Sequence, residues 1–189
     1  VEYIYPDFET EAEWEAWEEP EITENEKLTY ERLVQFQEEF SQKVSRVIAV
    51  TDTGIQGSCT TEDGTANVSL FGVMPGYFDS MKLDIISGRD VSGEDNRQTK
   101  PTAVVSDLFV KYAFGGKNPI GKHISIQSED GTIQKLYVVG VYKYDDVRMG
   151  RGEENTPEKN IYTQVIVPYT YASMMKESMG NSNDMGINY

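Results

Sequence analysis

The chain has 189 residues, 38% of them hydrophobic, enough for one good-sized domain or two small lobes; no apolar run approaches the ~20 residues that span a bilayer. Its formal charge is −15, yet eleven acids and no base fall in residues 1–26, leaving 21 acids against 17 bases in the remainder. A nearly balanced body argues against nucleic acid and anionic lipid as partners, since both require a basic face.

Residues 1–26 read as an acidic N-terminal arm. Trp14 and Trp17 lie three apart, on one face if the segment is helical, and are the candidate partner contacts. The arm opens on VEYIYPDFE, with neither a basic start nor an apolar stretch, so no leader peptide is expected in it. Leu33, Phe36, Phe40, Val44 and Val47 then step by three or four, which predicts an amphipathic helix of about five turns over 27–46. It leads into a buried strand, VIAV, at 47–50. The run from Gly57 to Met74 reads as two strands about a Glu62-Asp63-Gly64 turn. GYFDSM is one helical turn, KLDIISG a short strand ending at Gly88, and VSGEDNRQTK an acidic loop.

The strand TAVVS is followed by SDLFVKYA, a helix opened by Ser106 or Asp107 and stopped by Gly115 and Gly116. HISIQ and LYVVGVY read as a second hairpin about Glu129-Asp130-Gly131. Residues 145–160 are polar and glycine-rich, and expected to be mobile. TQVIVPY is a last strand, and a helix capped by Thr170 follows. The fold class expected is α+β: a largely antiparallel sheet with hairpins, a long N-terminal amphipathic helix, and two lobes.

The stretch from Gly116 through Gly121 to Lys122 spells G-x-x-x-x-G-K, most of a phosphate-binding P-loop. His123 follows where a Ser or Thr should hold Mg²⁺, and the order is helix–loop–strand, the reverse of a P-loop. The segment reads as a structural connection. Cys59 with His123 has no third orienting residue and reads as a buried, inert thiol. The carboxylates of TEDG, SGEDN and SEDG lack calcium-loop spacing, and Met174, Met175 and Met179 read as core filling. Arg89 and Asp90 read as a turn-stabilising ion pair. No cofactor or metal is expected, and no catalysis.

Several segments together resemble MacB-like ABC-transporter permeases of the MacB/FtsX type. LFGVMPGYFDSMKLDIISGRD resembles their GV-x-P-x-YF motif followed by GR, and carries Gly72, Pro75, Tyr77, Phe78, Gly88 and Arg89. TAVVSDLFVKYAFGGKNPIGKHISI resembles their NPIGK segment, with Gly115, Asn118, Pro119, Gly121 and Lys122. LYVVGV and TQVIVPY follow in family order. The resemblance implies that residues 27–189 are the non-enzymatic core domain between the first two membrane spans, on the extracytoplasmic face of the membrane. It implies as partners the transmembrane spans and a cytoplasmic ATPase, with a substrate, a cationic peptide or an accessory protein engaged outside. The arm is no part of the family pattern. A free-standing secreted binding module or adhesin is the alternative.

Overall fold

The computed structural model describes Thr10, residues 29–149 and residues 156–183. Helix α1 covers Tyr30–Glu39, opened by the Thr29 side chain, which accepts from the Arg32 backbone N–H. The expected five-turn helix is therefore only ten residues long. Past Phe40 the chain turns back, held by the Val47 N–H on Gln37 Oε1 at 2.8 Å and by Arg46 Nη1 on the Gly76 carbonyl at 3.0 Å. These tertiary bonds replace the helix that apolar spacing alone predicts. Phe36 and Phe40 stay 46% and 38% exposed, so that spacing does not mark a buried face.

Strands β1 (Val50–Thr60) and β2 (Thr65–Val73) form the first hairpin about the expected turn. A bulge between Asp52 and Gln56, with the Thr53 hydroxyl on the Leu70 carbonyl at 2.8 Å, lets β1 begin seven residues earlier than the glycine at 57 suggested. Then follow α2 (Tyr77–Met81), β3 (Ile85–Gly88), α3 (Gly93–Arg97), β4 (Thr102–Ser106) and α4 (Asp107–Ala113). The second hairpin is β5 (His123–Ser128) with β6 (Ile133–Tyr142), followed by α5 (Asp146–Met149). A short 3₁₀ turn at Glu158–Asn160, β7 (Thr163–Pro168) and α6 (Tyr169–Asn183) complete the described chain.

The α+β class holds, but the sheet is mixed rather than largely antiparallel. Pairings β2–β7 and β4–β6 are parallel, and the strand order is β3-β6-β4-β7-β2-β1-β5. Strand β5 also pairs with β6, so six strands close into a circuit and β3 attaches to the outside of β6. The two expected lobes are not found in this arrangement, because all seven strands share one sheet.

Burial follows the sheet. Strands β1, β2 and β5 bury alternate residues, among them Ile55, Cys59, Val68, Leu70 and Ile126, in one core with Phe109 and Met175. Strand β4 is buried at every position: Ala103 and Val105 face that core, and Val104 faces a second cluster with Phe78, Tyr142 and Ile166. Side chains buried this completely contribute roughly 1.5–3 kcal/mol each. The register slip between Ala103 and Val104 leaves Val139 unpaired in β6, and the strand's two faces exchange clusters there.

Candidate functional site

The eleven motif residues gather at two adjoining corners. In the first, Gly72 lies where α6 crosses β2 so closely that a Cβ would come within 2.2 Å of Ala172 Cβ. Past Pro75, Gly76 takes φ +86 and turns the chain into α2, whose Tyr77 and Phe78 are buried, Phe78 against Tyr142 with ring centroids 5.4 Å apart. Arg46 holds this turn from outside through the Gly76 carbonyl and Asp79.

Gly88 ends β3 at φ +72, with no room for a Cβ beside the Val139 carbonyl. The next residue does not pair as expected. Arg89 forms a two-pronged bond with Asp95, not Asp90, and touches Asp90 only at its backbone carbonyl, 2.9 Å away. The reason is local: Ser92 and Asp95 form a capping box that starts α3 and leaves Asp95 only 1% exposed, aimed at the guanidinium. Burial alone would raise the Asp95 carboxyl, but the Arg89 and Ser92 bonds outweigh it and hold it below its ordinary value. Asp90 goes the other way. Burial pushes its carboxyl up to about 6, against the Val91 and Gly76 N–H groups that favour the charged form.

The second corner is the NPIGK loop. Gly115 and Gly116 take positive φ, and the Gly116 N–H returns to the Val110 carbonyl at 3.1 Å, closing α4. Lys117 pairs with Asp63 at the tip of the β1–β2 turn. Asn118 Oδ1 accepts the Ile120 N–H at 3.0 Å, Pro119 accepts the Lys122 N–H at 3.0 Å, and Gly121 at φ +81 donates to the Val138 carbonyl at 2.9 Å. Ile120 reaches the Gly88 backbone, which joins the two corners. The loop runs from a helix end into a strand, so its N–H groups do not form the helix-start cradle that a phosphate needs.

Beside this loop an open groove of about 400 Å³ is lined by Ile86, Ser87, Lys117 and Pro119, among others. A neighbouring groove of about 320 Å³ holds Lys111, Lys143, Asp107 and Glu158, whose charges already pair with one another.

The other candidates are dispersed. Cys59 is fully buried, and burial pushes its thiol up to about 11, whereas His123 points outward against Tyr137 on the opposite face of the sheet. Met175 fills the core and Met174 is 45% exposed; the Met179 side chain lies outside the described residues. Trp14 and Trp17 also lie outside them. Among the described residues no group of three or more potential ligands could hold a metal ion.

Sequence reasoning missed α3 and its buried Asn96. Thr170 does not cap α6: it lies in the first turn, where its N–H meets Asn96 Oδ1 at 3.4 Å and its hydroxyl donates to the Asn96 carbonyl at 2.7 Å. Gly93 and Arg97 of the same short helix lie beside Tyr30, at the start of α1. The S-x-x-D spacing of Ser92 and Asp95 was the available signal for this helix.

A family model described as the MacB-like periplasmic core domain matches residues 3–187. The chain belongs to this family. Among solved structures it is similar to the extracellular domain of the noncanonic ABC-type transporter YknZ from Gram-positive bacteria: 22% identity, TM-score 0.53, 81% of this chain and 67% of that one. It is also similar to the periplasmic region of MacB from Actinobacillus actinomycetemcomitans, at 18% identity and TM-score 0.48, covering 70% and 53%. A domain of a putative permease from Porphyromonas gingivalis gives 17%, 0.46, 71% and 56%. The chain thus spans about half to two thirds of these relatives' lengths. No protein of curated function matches it. Membership sets the general kind of molecule: an extracytoplasmic core domain of the MacB-like type. No helix of the described residues is long and apolar enough to cross a membrane.

Proposed function

We propose that this MacB-like domain is the part of an ABC-transporter permease that acts outside the membrane, moved by ATP hydrolysis on the cytoplasmic side. It engages a transported substrate or an accessory protein there, and the acidic arm with Trp14 and Trp17 offers a contact for a cationic peptide. The observation that carries this reading is the family match over residues 3–187. Support comes from α3, which bonds to the start of α6 and lies beside Tyr30 at the start of α1. Displacement at one end of such a tied body reaches the other without loss in a loop. The eleven motif residues serve as structural parts of that body, Gly72, Gly88 and Gly121 by backbone geometry and Tyr77 and Phe78 by packing.

The test uses the full-length permease with its ATPase. Val147 is 89% exposed, so Val147→Cys provides a surface label while Cys59 stays buried. A membrane-impermeant maleimide should label it in intact cells, in the membrane fraction. A spin label at the same position should change its spectrum when ATP is trapped with vanadate. Labelling only after lysis, or a labelled protein free in the medium, would overturn the location. Identical spectra with and without nucleotide would overturn the coupling.

A further inference from the structure

Where the starts of α1 and α6 approach the end of α3, an open groove of about 480 Å³ is lined by Tyr30 and Glu31 on one side and by Ser173 and Glu177 on the other, among others. Such a volume suits a small organic molecule. Tyr30 is only 8% exposed, yet its hydroxyl has no hydrogen-bond partner among the described residues. A phenol buried this far normally finds one. The carboxylates of Glu31 and Glu177 likewise have no cation within ion-pair distance among the described residues. The Thr170 and Ser173 hydroxyls donate to the Asn96 carbonyl at 2.7 Å and the Tyr169 carbonyl at 3.0 Å, so toward a ligand they can only accept.

Thr99 lines the same groove and carries backbone strain. It takes φ +49 just past the end of α3, a left-handed position where glycine is the usual residue and a β-branched one fits poorly. Its N–H on the Asn96 carbonyl at 3.1 Å and the Lys100 N–H on the Asp95 carbonyl at 2.9 Å hold it there. The Thr99 hydroxyl bonds to nothing among the described residues, whereas a ligand in the groove would give it a partner. No base lines the groove. Arg97, beside Tyr30, pairs with Glu94, and Lys176 reaches the Asp52 carbonyl instead. Glu31 stands in the first turn of α1 and offsets the positive end of that helix. The walls therefore offer two carboxylates and two hydroxyls that only accept, with no cation to match them.

We propose that this groove binds a small organic molecule through a primary ammonium group, its charge met by Glu31 and Glu177 and its N–H groups by the hydroxyls of Tyr30 and Thr99. An ammonium has three donors and no acceptor, which matches walls made of acceptors. Its carbon skeleton lies against Met174, 45% exposed on the same wall. The chain's net charge of −15 raises the local concentration of such a cation. This inference depends neither on the transporter reading nor on the acidic arm.

The probe is 1,5-diaminopentane, with 1,5-pentanediol as its uncharged counterpart, titrated into the isotopically labelled 189-residue chain and followed by amide NMR. The diamine should shift the signals of residues 29–31, 99 and 169–177 along one saturable curve, and the diol should leave them in place. Glu31→Gln/Glu177→Gln should weaken the diamine at least about tenfold. Both glutamates are exposed, so this variant should melt with the wild type. Two further variants separate a ligand contact from a structural role. Tyr30→Phe removes a hydroxyl that the fold leaves without a partner, and Thr99→Gly relieves the left-handed strain, so neither should lower the melting temperature. Each should still weaken the diamine about threefold or more. Shifts confined to residues 1–26, or none at all, would show that the groove takes no amine. Equal shifts from the diol would show that charge is not what the groove reads. Full affinity in the glutamine variant, or in both Tyr30→Phe and Thr99→Gly, would show that these side chains do not hold the ligand. Each of these results overturns the proposal.

Discussion

Asp90 and Asp95 stand five residues apart, and their surroundings drive their carboxyls in opposite directions. Asp95 gains a guanidinium and a capping hydroxyl, so its contribution to stability is present above the ordinary carboxylate pKa and fades as pH falls below about 4. Asp90 loses water and gains two N–H bonds that do not fully replace it, and its carboxyl rises to about 6. Its folded pKa lies above the unfolded one. Its contribution is therefore complete below about pH 4 and is lost as pH climbs through about 6. Asn in its place keeps an acceptor for the Val91 and Gly76 N–H groups without the charge. Asp90→Asn should thus gain stability relative to wild type between pH 4 and 6 and hold that gain above, on the order of 1 kcal/mol because solvent screens this partly exposed carboxylate. Urea titrations of both proteins at a series of pH values measure the gap; parallel profiles would contradict the assignment. The groups that face Asp90 are Arg89 and Asp79, with Arg46 behind Asp79, and none of the three is buried.

Among the elements, α3 does most for its size. Five residues connect β3, α1 and α6 through Arg89–Asp95, Tyr30 beside Arg97, and Asn96–Thr170. Asn96 is fully buried and supplies from 74 positions away the N-terminal partner that α6 lacks in its own sequence. Asn96→Ala removes that partner and leaves the Thr170 N–H unmet. The cost should be about 1–3 kcal/mol in unfolding free energy. Arg97→Ala removes an exposed i,i+3 pair with Glu94 and the guanidinium beside Tyr30, and should cost less, about 0.5 kcal/mol. Equal losses from the two substitutions in chemical denaturation would mean that Asn96 is not the tie.

At the scale of the whole molecule, the decisive feature is the seam that closes the sheet. Strand β1 meets β5 only from Gly57 to Cys59, and β5 then continues to β6. At Gly57 a Cβ would lie 2.2 Å from the Gln127 carbonyl oxygen, an approach that no other residue type permits without moving a strand. Gly57→Ala should therefore open the seam. Amide exchange at residues 57–59 and 126–128 should accelerate by at least about tenfold, while the β4–β6 amides stay protected. Uniform acceleration across all strands would indicate global destabilisation instead, and unchanged exchange would show that the seam is not needed.

The parts legible in the sequence were those in which cause and effect lie close along the chain. Glu62-Asp63-Gly64 and Glu129-Asp130-Gly131 announced two hairpins because turn chemistry acts over four residues. Ser106 and the Gly115–Gly116 pair bracketed α4 for the same reason, and the motifs around Gly88 and Pro119 pointed to a family with which residues 3–187 agree. The tertiary structure alone decided what depends on distant partners. The parallel pairs β2–β7 and β4–β6, which make the sheet mixed, join strands that no turn connects. Helix α1 stops at Glu39 because Arg46 finds the Gly76 carbonyl 30 residues on, and Arg89 selects Asp95 because α3 turns that carboxylate inward. Local propensity is written residue by residue, but the choice among partners for a backbone or a charge is settled only when distant segments meet and water is excluded between them.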